Sequence, residues 1–303
     1  MAGTRSRTVL VVGQAARDLA LRIEELPESG GSTDVRERLE MLGGKGANQA
    51  VGLRQLGSRV ALLAVFGEDA VGERMRDEAI ASGIDVSPAV RRGATALLVD
   101  VVEAAGHRRL LEDVPRSSLL TAADVRGASA AFGQADTVCL QLQQPAEALL
   151  AAADLARENG ARVVLDGGID GDARDRLLEL ADVVRADAPE AAALAGMEVQ
   201  DQDDARSAAQ HLLAAGPSVV ALAVPGQGDL VAWAGGGRFF PYGEESVVDP
   251  TGAGDAFLAG LVTGLREGLE PEAAGRRASA AASATVARLG GRPDLAFLAA
   301  EPS

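Results

Sequence analysis

Short apolar runs alternate with Ala-rich helical patterns along most of the chain, and this alternation constrains the fold more than any other feature. The runs are rich in β-branched residues, as strands buried on both faces of a parallel sheet are. They predict strands at residues 9–13, 60–66, 137–142, 162–166, 182–185 and 218–224. The patterns between them predict helices at residues 48–56, 72–82, 146–159, 188–195 and 203–215. We therefore expect an α/β fold with a doubly wound, mostly parallel sheet flanked by helices.

Two segments interrupt this alternation. Residues 19–23 with 32–41, and 94–102 with 108–114, are typical of strands with no helix between them, and "EAAGH" predicts a hairpin turn in the second pair. They predict a small antiparallel sheet, inserted as segments 19–41 and 94–114 of one domain that spans residues 1–303. Such an insert can act as a lid.

Charge and composition exclude several classes of function. The net charge of −15 argues against binding to nucleic acids or anionic membranes, which requires clustered cations. Two histidines, His107 and His211, and one cysteine, Cys139, are too few for a His/Cys zinc site. No apolar run approaches the roughly 20 residues that span a bilayer, and "TVLVVG" is too short for a signal-peptide core. We expect a cytoplasmic protein. If it binds phosphate groups, it must do so with backbone amides, a metal ion and a few placed side chains.

The stretch "GGKGANQA" (residues 43–50) contains Lys45, the only lysine among 29 cationic residues. A compact, rotatable ammonium group is not equivalent to a planar guanidinium group. A ligand site that requires an ammonium group would therefore explain why position 45 is a lysine and not an arginine. The alternative is that a lysine occurs at this position by chance. The presence of the lysine alone does not distinguish this explanation from a ligand site.

The stretch "VVDPTGAGDAF" (residues 247–257) predicts a strand, a glycine-permitted turn and an apolar helix. The N–H groups of Gly252, Ala253 and Gly254 would point out of the helix N-terminus, an arrangement that binds anions. Asp255 would lie in the first turn of that helix. It could simply complement the helix dipole, or it could remove a proton from a hydroxyl that attacks a bound phosphoryl group.

Together these two stretches resemble the signatures of the ribokinase-like (PfkB) family of carbohydrate kinases. "VVGQAARDLALRIEELPESG" and "GEDAVGERMRDEAIASGIDVS" also resemble that family, so that the resemblance covers nearly the whole chain. It implies ATP-dependent phosphorylation of a sugar or nucleoside hydroxyl, on a doubly wound domain with a β-sheet lid. It also implies ATP and Mg²⁺ as cofactors, a homodimer formed through the lid, and K⁺ in many members.

Matching positions carry the family's catalytic roles onto this chain. By this resemblance Asp255 is the catalytic base, and Gly252, Ala253 and Gly254 form the anion hole for the transferred phosphate. The positions that correspond to contacts with the substrate are Asp18, Gly44, Lys45, Asn48 and Gln143.

The remaining matches concern the nucleotide and the metal ions. Glu190, in "DAPE", resembles the carboxylate that organises Mg²⁺, usually through water, although an acid at a helix start needs no such role. The nucleotide-binding positions are Asp187, Gly226, Gly228 and Thr251. The positions that correspond to a monovalent-cation site are Asp249, Thr251, Val286 and Gly291.

Several departures from the family pattern concern the substrate and nucleotide pockets. Ala16 replaces an asparagine of the ribose-using members, Gln143 a glutamate, and Asp187 the asparagine of the N-x-x-E segment. "PRSS" (115–118) and "AVPGQG" (223–228) replace two further motifs. Loss of one hydroxyl-binding group can shift substrate preference by orders of magnitude. The sequence thus predicts a sugar kinase whose pocket differs from the standard ribose pocket.

Two alternatives stay open at this point. A nucleoside kinase of the same family would need an apolar pocket for the base, and aromatic residues make up only 3% of the chain. A degenerate member could bind a sugar or a nucleotide for regulation without turnover. A dinucleotide-dependent oxidoreductase is disfavoured, because "GQAARD" after the first strand lacks the G-x-G-x-x-G pattern.

Overall fold

A central sheet of eight strands carries most of the chain. The computed structural model describes residues 8–243 and 247–299. Its strands are β1 (Thr8–Val12), β2 (Ala16–Ile23), β3 (Val35–Gly43), β4 (Arg59–Leu63), β5 (Val65–Phe66), β6 (Val90–Arg91), β7 (Leu97–Glu103), β8 (Arg108–Asp113), β9 (Ala135–Gln141), β10 (Arg162–Asp166), β11 (Val183–Ala186), β12 (Val219–Val224), β13 (Gly228–Trp233) and β14 (Gly236–Pro241). The central sheet has the order β14-β13-β12-β11-β10-β9-β1-β4. It is parallel from β4 to β12, and β13 and β14 add an antiparallel edge.

Helices cover both faces of this sheet, as the alternating pattern predicts. They are α1 (Lys45–Gln55), α2 (Ala70–Ala81), α3 (Ala122–Gly127), α4 (Ser129–Phe132), α5 (Ala146–Glu158), α6 (Asp172–Leu180), α7 (Ala188–Ala195), α8 (Gln202–Ala215), α9 (Ala253–Arg266) and α10 (Pro271–Val286). Alternate residues of a strand point to opposite faces. Accordingly, Leu10 and Val12 of β1 pack in a core with α5 to α8, whereas Val9 and Val11 pack in a second core with α1, α2, α9 and α10.

The run at residues 60–66 forms two strands rather than the single strand predicted. β4 ends at Leu63, and β5 pairs outside the central sheet with β6. Helix α1 also differs from the prediction, because it begins at Lys45 instead of residue 48. Gly44 precedes it with a φ of 82°, a conformation that favours glycine and turns the chain directly into the helix.

The four strands β3-β2-β7-β8 form a second sheet, which we call the small sheet. The predicted antiparallel pairing is correct within each hairpin and wrong at the centre, where β2 and β7 pair in parallel. A short connection forces antiparallel pairing inside a hairpin. The chain between β2 and β7 contains α1 and α2, and this long crossover permits the parallel arrangement.

The strand order reverses beside β1, which lies between β4 and β9. In open α/β sheets, ligands bind at such a reversal, outside the carboxyl ends of the strands. The carboxyl ends of β1, β9, β10 and β11 therefore mark the region in which to look for a site. No helix in the described ranges is long and apolar enough to cross a bilayer.

Two neighbouring leucines of α5 test the packing of the helix layer. Leu149 is fully buried against the sheet, whereas Leu150 is only partly buried. We expect Leu149→Ala to lower the free energy of unfolding by about 2–5 kcal/mol, as large-to-small core changes do. Leu150→Ala is the matched control, because it changes the helix propensity of α5 by the same amount. It should lower the free energy of unfolding clearly less. Urea denaturation of both variants measures the difference, and equal losses would contradict the assigned packing.

Candidate active site

Two helix N-termini face the carboxyl ends of the central strands, and a glycine precedes each helix. Gly44 precedes α1, and Gly252 precedes α9 with a φ of 74°. A Cβ atom on Gly252 would also lie 2.0 Å from the carbonyl oxygen of Gly291, so that any larger residue would displace the turn. The first N–H groups of a helix have no partner inside it. Of these, the Ala253 N–H makes only a 3.4 Å contact, with the Pro250 carbonyl oxygen.

Asp255 lies at the third position of α9 and is buried. Its Oδ2 accepts a hydrogen bond of 3.4 Å from the Asn48 side-chain amide, and its Oδ1 accepts one of 3.1 Å from the Gln49 amide. Burial, followed by the nearby charge of Asp166, raises the pKa of Asp255 to about 7, although Lys45 opposes the shift. This carboxyl group can therefore exchange a proton near neutral pH, as a general base must.

Sequence reasoning missed Gln49 and Asp166. The Gln49 amide Nε2 also donates to Asp166 Oδ2 at 2.8 Å, and thereby links two buried carboxylates. Asp166 is the last residue of β10, and burial raises its pKa. A charged residue that ends an otherwise apolar strand is a signal that could have found it, since sites form at the carboxyl ends of parallel strands.

Lys45 forms an ion pair with Glu190 across the site. The distance from Lys45 Nζ to Glu190 Oε1 is 2.5 Å, and both side chains are largely buried. Burial alone would lower the pKa of Lys45, but Asp166, Glu190 and Asp255 hold it above its ordinary value. Burial likewise opposes the ionisation of Glu190, but Lys45 and Arg185 keep its pKa low. Lys45 is thus a charged group in a carboxylate-rich site. This position supports the explanation that a ligand site requires a lysine here, over its presence by chance.

Arg185 is a second buried cation that the sequence reasoning passed over. It lies near the end of β11, with Nη1 at 3.4 Å from Asp166 Oδ1 and 3.7 Å from Glu190 Oε2. A Cβ atom on Gly254 would lie 2.5–2.6 Å from three atoms of its guanidinium group. The guanidinium therefore lies directly against the first turn of α9.

Asp18, on β2, places the small sheet next to the N-terminus of α1. Its Oδ1 accepts the Gly44 N–H at 3.1 Å. Burial, together with the charge of Asp100, raises the pKa of Asp18 to about 8, against the effect of the Gly44 hydrogen bond. Asp100 comes from β7 and is paired at 2.5 Å with Arg108 of β8. The sequence reasoning did not identify this Asp100–Arg108 pair.

The predicted substrate positions Asn48 and Gln143 differ in exposure. The Asn48 side chain is buried and its Oδ1 has no hydrogen-bond partner within the described residues, which leaves an acceptor for a ligand. Gln143 is exposed just beyond β9, and its Oε1 accepts a hydrogen bond of 3.0 Å from Gln141. Gln141 also accepts the Gln14 N–H at 2.7 Å and so joins the ends of β9 and β1.

A cleft of about 390 Å³ opens beside the N-terminus of α9. It is lined by both polar and apolar residues, among them Lys45, Arg185, Asp187, Asp229, Gly254, Asp255, Val247, Ala282 and Val286. Asp187 caps α7 and forms a reciprocal capping box with Glu190. Gly226 lies in the turn between β12 and β13, and Gly228 begins β13, from which Asp229 reaches the cleft.

The four positions predicted for a monovalent cation lie behind the α9 turn. Asp249 is buried, and its carboxylate accepts hydrogen bonds from the Thr251 N–H and hydroxyl and from the Gly290 N–H. The Val286 carbonyl oxygen accepts the N–H groups of Val248 and Asp249, and Gly291 packs on Gly252. These contacts tie the turn to the end of α10, and the cation site stays a prediction.

The chain is similar to known proteins over nearly its full length. The model of the pfkB family of carbohydrate kinases matches residues 6–296. A ribokinase of Haemophilus influenzae is 29% identical over 95% of this chain and 95% of its own length. An ATP-dependent ribose-1-phosphate kinase of Halopiger xanaduensis is 30% identical over 94% of this chain and 93% of its own. The structure of Arabidopsis thaliana ribokinase complexed with ribose and ATP has a TM-score of 0.79 and 25% identity, over 97% of this chain and 98% of that one.

The charge of Lys45 can be tested through the ionisation of Asp255. Lys45 lowers the pKa of Asp255, against the larger effect of burial. Lys45→Met keeps the length of the side chain and removes the charge, so the pKa of Asp255 should rise above about 7. Lys45→Arg keeps the charge and serves as the control, for which a smaller change is expected. Carboxyl ¹³C NMR titration measures both, and an unchanged pKa in Lys45→Met would show that the two groups do not interact.

Proposed function

Since this chain belongs to the pfkB family of carbohydrate kinases, we propose that it transfers the γ-phosphoryl group of ATP to a hydroxyl group of ribose or a related sugar. The observation that carries the proposal is the position of Asp255. It is a buried carboxyl group with a pKa of about 7, in the first turn of a helix whose N-terminus faces the cleft.

In the proposed reaction, Asp255 takes the proton of the attacking hydroxyl group. The amides of Gly252, Ala253 and Gly254 hold the transferred phosphoryl group at the helix N-terminus, where donors and dipole favour negative charge. Asn48 and Gln49 hold the Asp255 carboxylate by donating to its two oxygens. The base is therefore oriented before the substrate arrives, and phosphoryl transfer depends largely on such positioning.

The sugar would lie between the small sheet and the N-terminus of α1. Asp18 and the unpartnered Oδ1 of Asn48 supply acceptors for hydroxyl groups, and Gly44 allows the backbone to approach the sugar closely. Lys45 begins α1 and lines the cleft, so it would lie between the sugar and the nucleotide, and Gln143 follows β9. The pair of Asp100 and Arg108 adds polar groups on the small sheet, so that we expect a preference that differs from that of a standard ribose pocket.

ATP fits the cleft beside α9. Its lining offers Lys45, Arg185 and the amides of the α9 turn for phosphates, and Val247, Ala282 and Val286 for a base. Of the nucleotide positions that the sequence predicts, Asp187 lines the cleft and Thr251 precedes Gly252 of the turn, and Gly226 and Gly228 belong to the hairpin from which Asp229 reaches the cleft. Mg²⁺ would neutralise charge on the phosphates. Both oxygens of Glu190 already accept hydrogen bonds, Oε1 from Lys45 and Oε2 from the Asp187 N–H. Glu190 would therefore hold Mg²⁺ through water, in keeping with the reluctance of this ion to lose its waters.

Other parts of the proposal concern the wider assembly. The small sheet, which largely corresponds to the predicted segments 19–41 and 94–114 of a single domain, would act as the lid over the sugar and as the contact surface of a homodimer. K⁺ would bind near Asp249, Thr251, Val286 and Gly291, and the protein would work in the cytoplasm. Light scattering tests the dimer, and a comparison of rates in K⁺ and in Na⁺ tests the cation.

Asp255→Asn tests the assigned base. It removes the proton acceptor but keeps the shape of the side chain, so turnover should fall by roughly 10²–10⁴-fold or more. ATP consumption with Mg²⁺ and K⁺ should be measured with ribose, other pentoses, hexoses, sugar phosphates and nucleosides. Activity of the variant equal to that of the unchanged protein would exclude Asp255 as the base. Turnover of nucleosides alone would indicate a nucleoside kinase, and binding of a sugar without turnover by the unchanged protein would indicate a regulator.

The pH dependence gives a second test. A base must be ionised to act, and burial raises the pKa of Asp255 to about 7. We therefore expect kcat/KM to rise with pH up to about 7 and to level off above it. With Lys45→Met the rising limb should move to higher pH, because the carboxylate loses a favourable charge. A profile that is flat between pH 5 and 8 would be inconsistent with Asp255 as the base.

A further inference from the structure

We propose that Arg185 binds the β-phosphate of the nucleotide, from the side of the sheet, next to the γ-phosphate position at the N-terminus of α9. The inference rests on the proposed function, because it assigns a new side chain to the nucleotide site. Its basis is the surroundings of the guanidinium group, and three observations support it.

The first observation is that Arg185 is under-bonded although it is buried. It is 8% exposed, and its Nε has no hydrogen-bond partner in the part of the chain that the structure describes. A buried donor without a partner costs free energy, and a guanidinium group offers five N–H donors in a fixed fork. A ligand with several acceptor oxygens would satisfy donors that the protein leaves open.

The second observation is that its acidic neighbours are held by other groups. Asp166 accepts a 2.8 Å hydrogen bond from Gln49, and Glu190 forms its 2.5 Å ion pair with Lys45. Arg185 reaches the same carboxylates only at 3.4 and 3.7 Å, whereas charge-assisted hydrogen bonds are typically about 2.7–2.9 Å long. Those carboxylates balance the charge of Arg185, but the hydrogen bond that it donates to them, from Nη1 to Asp166 Oδ1, is long at 3.4 Å.

The third observation is the contact with Gly254, which brings the guanidinium to the anion-binding turn. Three guanidinium atoms occupy the space that a Cβ atom on Gly254 would need. Arg185 and Gly254 also line the same cleft, together with Lys45 and Asp255. An ATP molecule whose γ-phosphate lies at the N-terminus of α9 would therefore place its β-phosphate, which ADP also carries, within reach of the guanidinium. Arginine suits this position because its planar fork matches two phosphate oxygens at once.

The test compares three variants by isothermal titration calorimetry, with ADP and inorganic pyrophosphate as the probes. We expect Arg185→Gln to weaken ADP binding about tenfold or more, as loss of a charge-assisted contact does. Arg185→Lys keeps the charge and loses the fork, so an intermediate loss is expected. Arg266→Gln is the matched control, because it removes a partly buried arginine that pairs with Asp136 at the amino end of β9, away from the carboxyl ends where the cleft lies, and it should bind ADP normally.

Each outcome decides the proposal. A loss of affinity for both probes in Arg185→Gln, with normal binding by Arg266→Gln, supports it. ADP affinity within twofold of the unchanged protein, even with a lowered melting temperature, would show that Arg185 is only structural and overturn it. Absence of binding of either probe to the unchanged protein also overturns it. If circular dichroism shows that Arg185→Gln does not fold, the ADP affinity of Arg185→Lys is measured instead. A value within twofold of that of the unchanged protein would then overturn the proposal.

The proposed function can fail separately. Unchanged protein that binds ADP through Arg185 but consumes no ATP with any sugar would contradict the sugar-kinase reaction and leave the phosphate contact standing. If the unchanged protein phosphorylates a sugar but Arg185→Gln binds ADP with unchanged affinity, the sugar-kinase reaction is supported and the Arg185 contact is contradicted.

Discussion

The repulsion between two buried carboxylates, Asp166 and Asp255, is the constraint around which the site is built. Burial raises the pKa of both groups, and the charge of Asp166 raises that of Asp255 further. The Gln49 amide donates to both, and Lys45 and Arg185 supply the positive charge that keeps them from being neutralised altogether. This balance leaves Asp255 near the midpoint of its titration at neutral pH, where a group can both accept and release a proton.

The same balance explains how a chain with a net charge of −15 can bind a nucleotide. Acidic residues outnumber cations 44 to 29, so the surface as a whole does not attract phosphates. The protein buries one lysine and one arginine at the carboxyl ends of the strands and aims a helix N-terminus at the same point. In a site of low dielectric constant, a few placed charges act more strongly than many exposed ones.

Two glycines allow the backbone and the charged side chains to approach one another closely at the N-terminus of α9. At Gly252 the backbone takes a left-handed conformation and touches Gly291, and at Gly254 the absent side chain leaves room for the guanidinium of Arg185. The small sheet adds its own polar groups, since Asp18 reaches the Gly44 N–H and Asp100 lies close enough to raise the pKa of Asp18. The departures in the substrate pocket lie on both sheets, since Ala16 is on β2 of the small sheet and Gln143 follows β9 of the central sheet.

The sequence by itself determined the doubly wound sheet, the helix that begins near Gly252 and the position of Asp255 in its first turn. These are local matters of hydrophobic period and turn chemistry, which a stretch of ten to twenty residues contains. Asp166 carries a sequence signal through its place at the end of β10, but Gln49, Arg185 and Asp100 could not be found in this way, because their roles depend on residues far away in the chain. The parallel pairing of β2 with β7 was missed for the same reason. Only the tertiary structure decides which strand ends meet, and so which charges share one buried site.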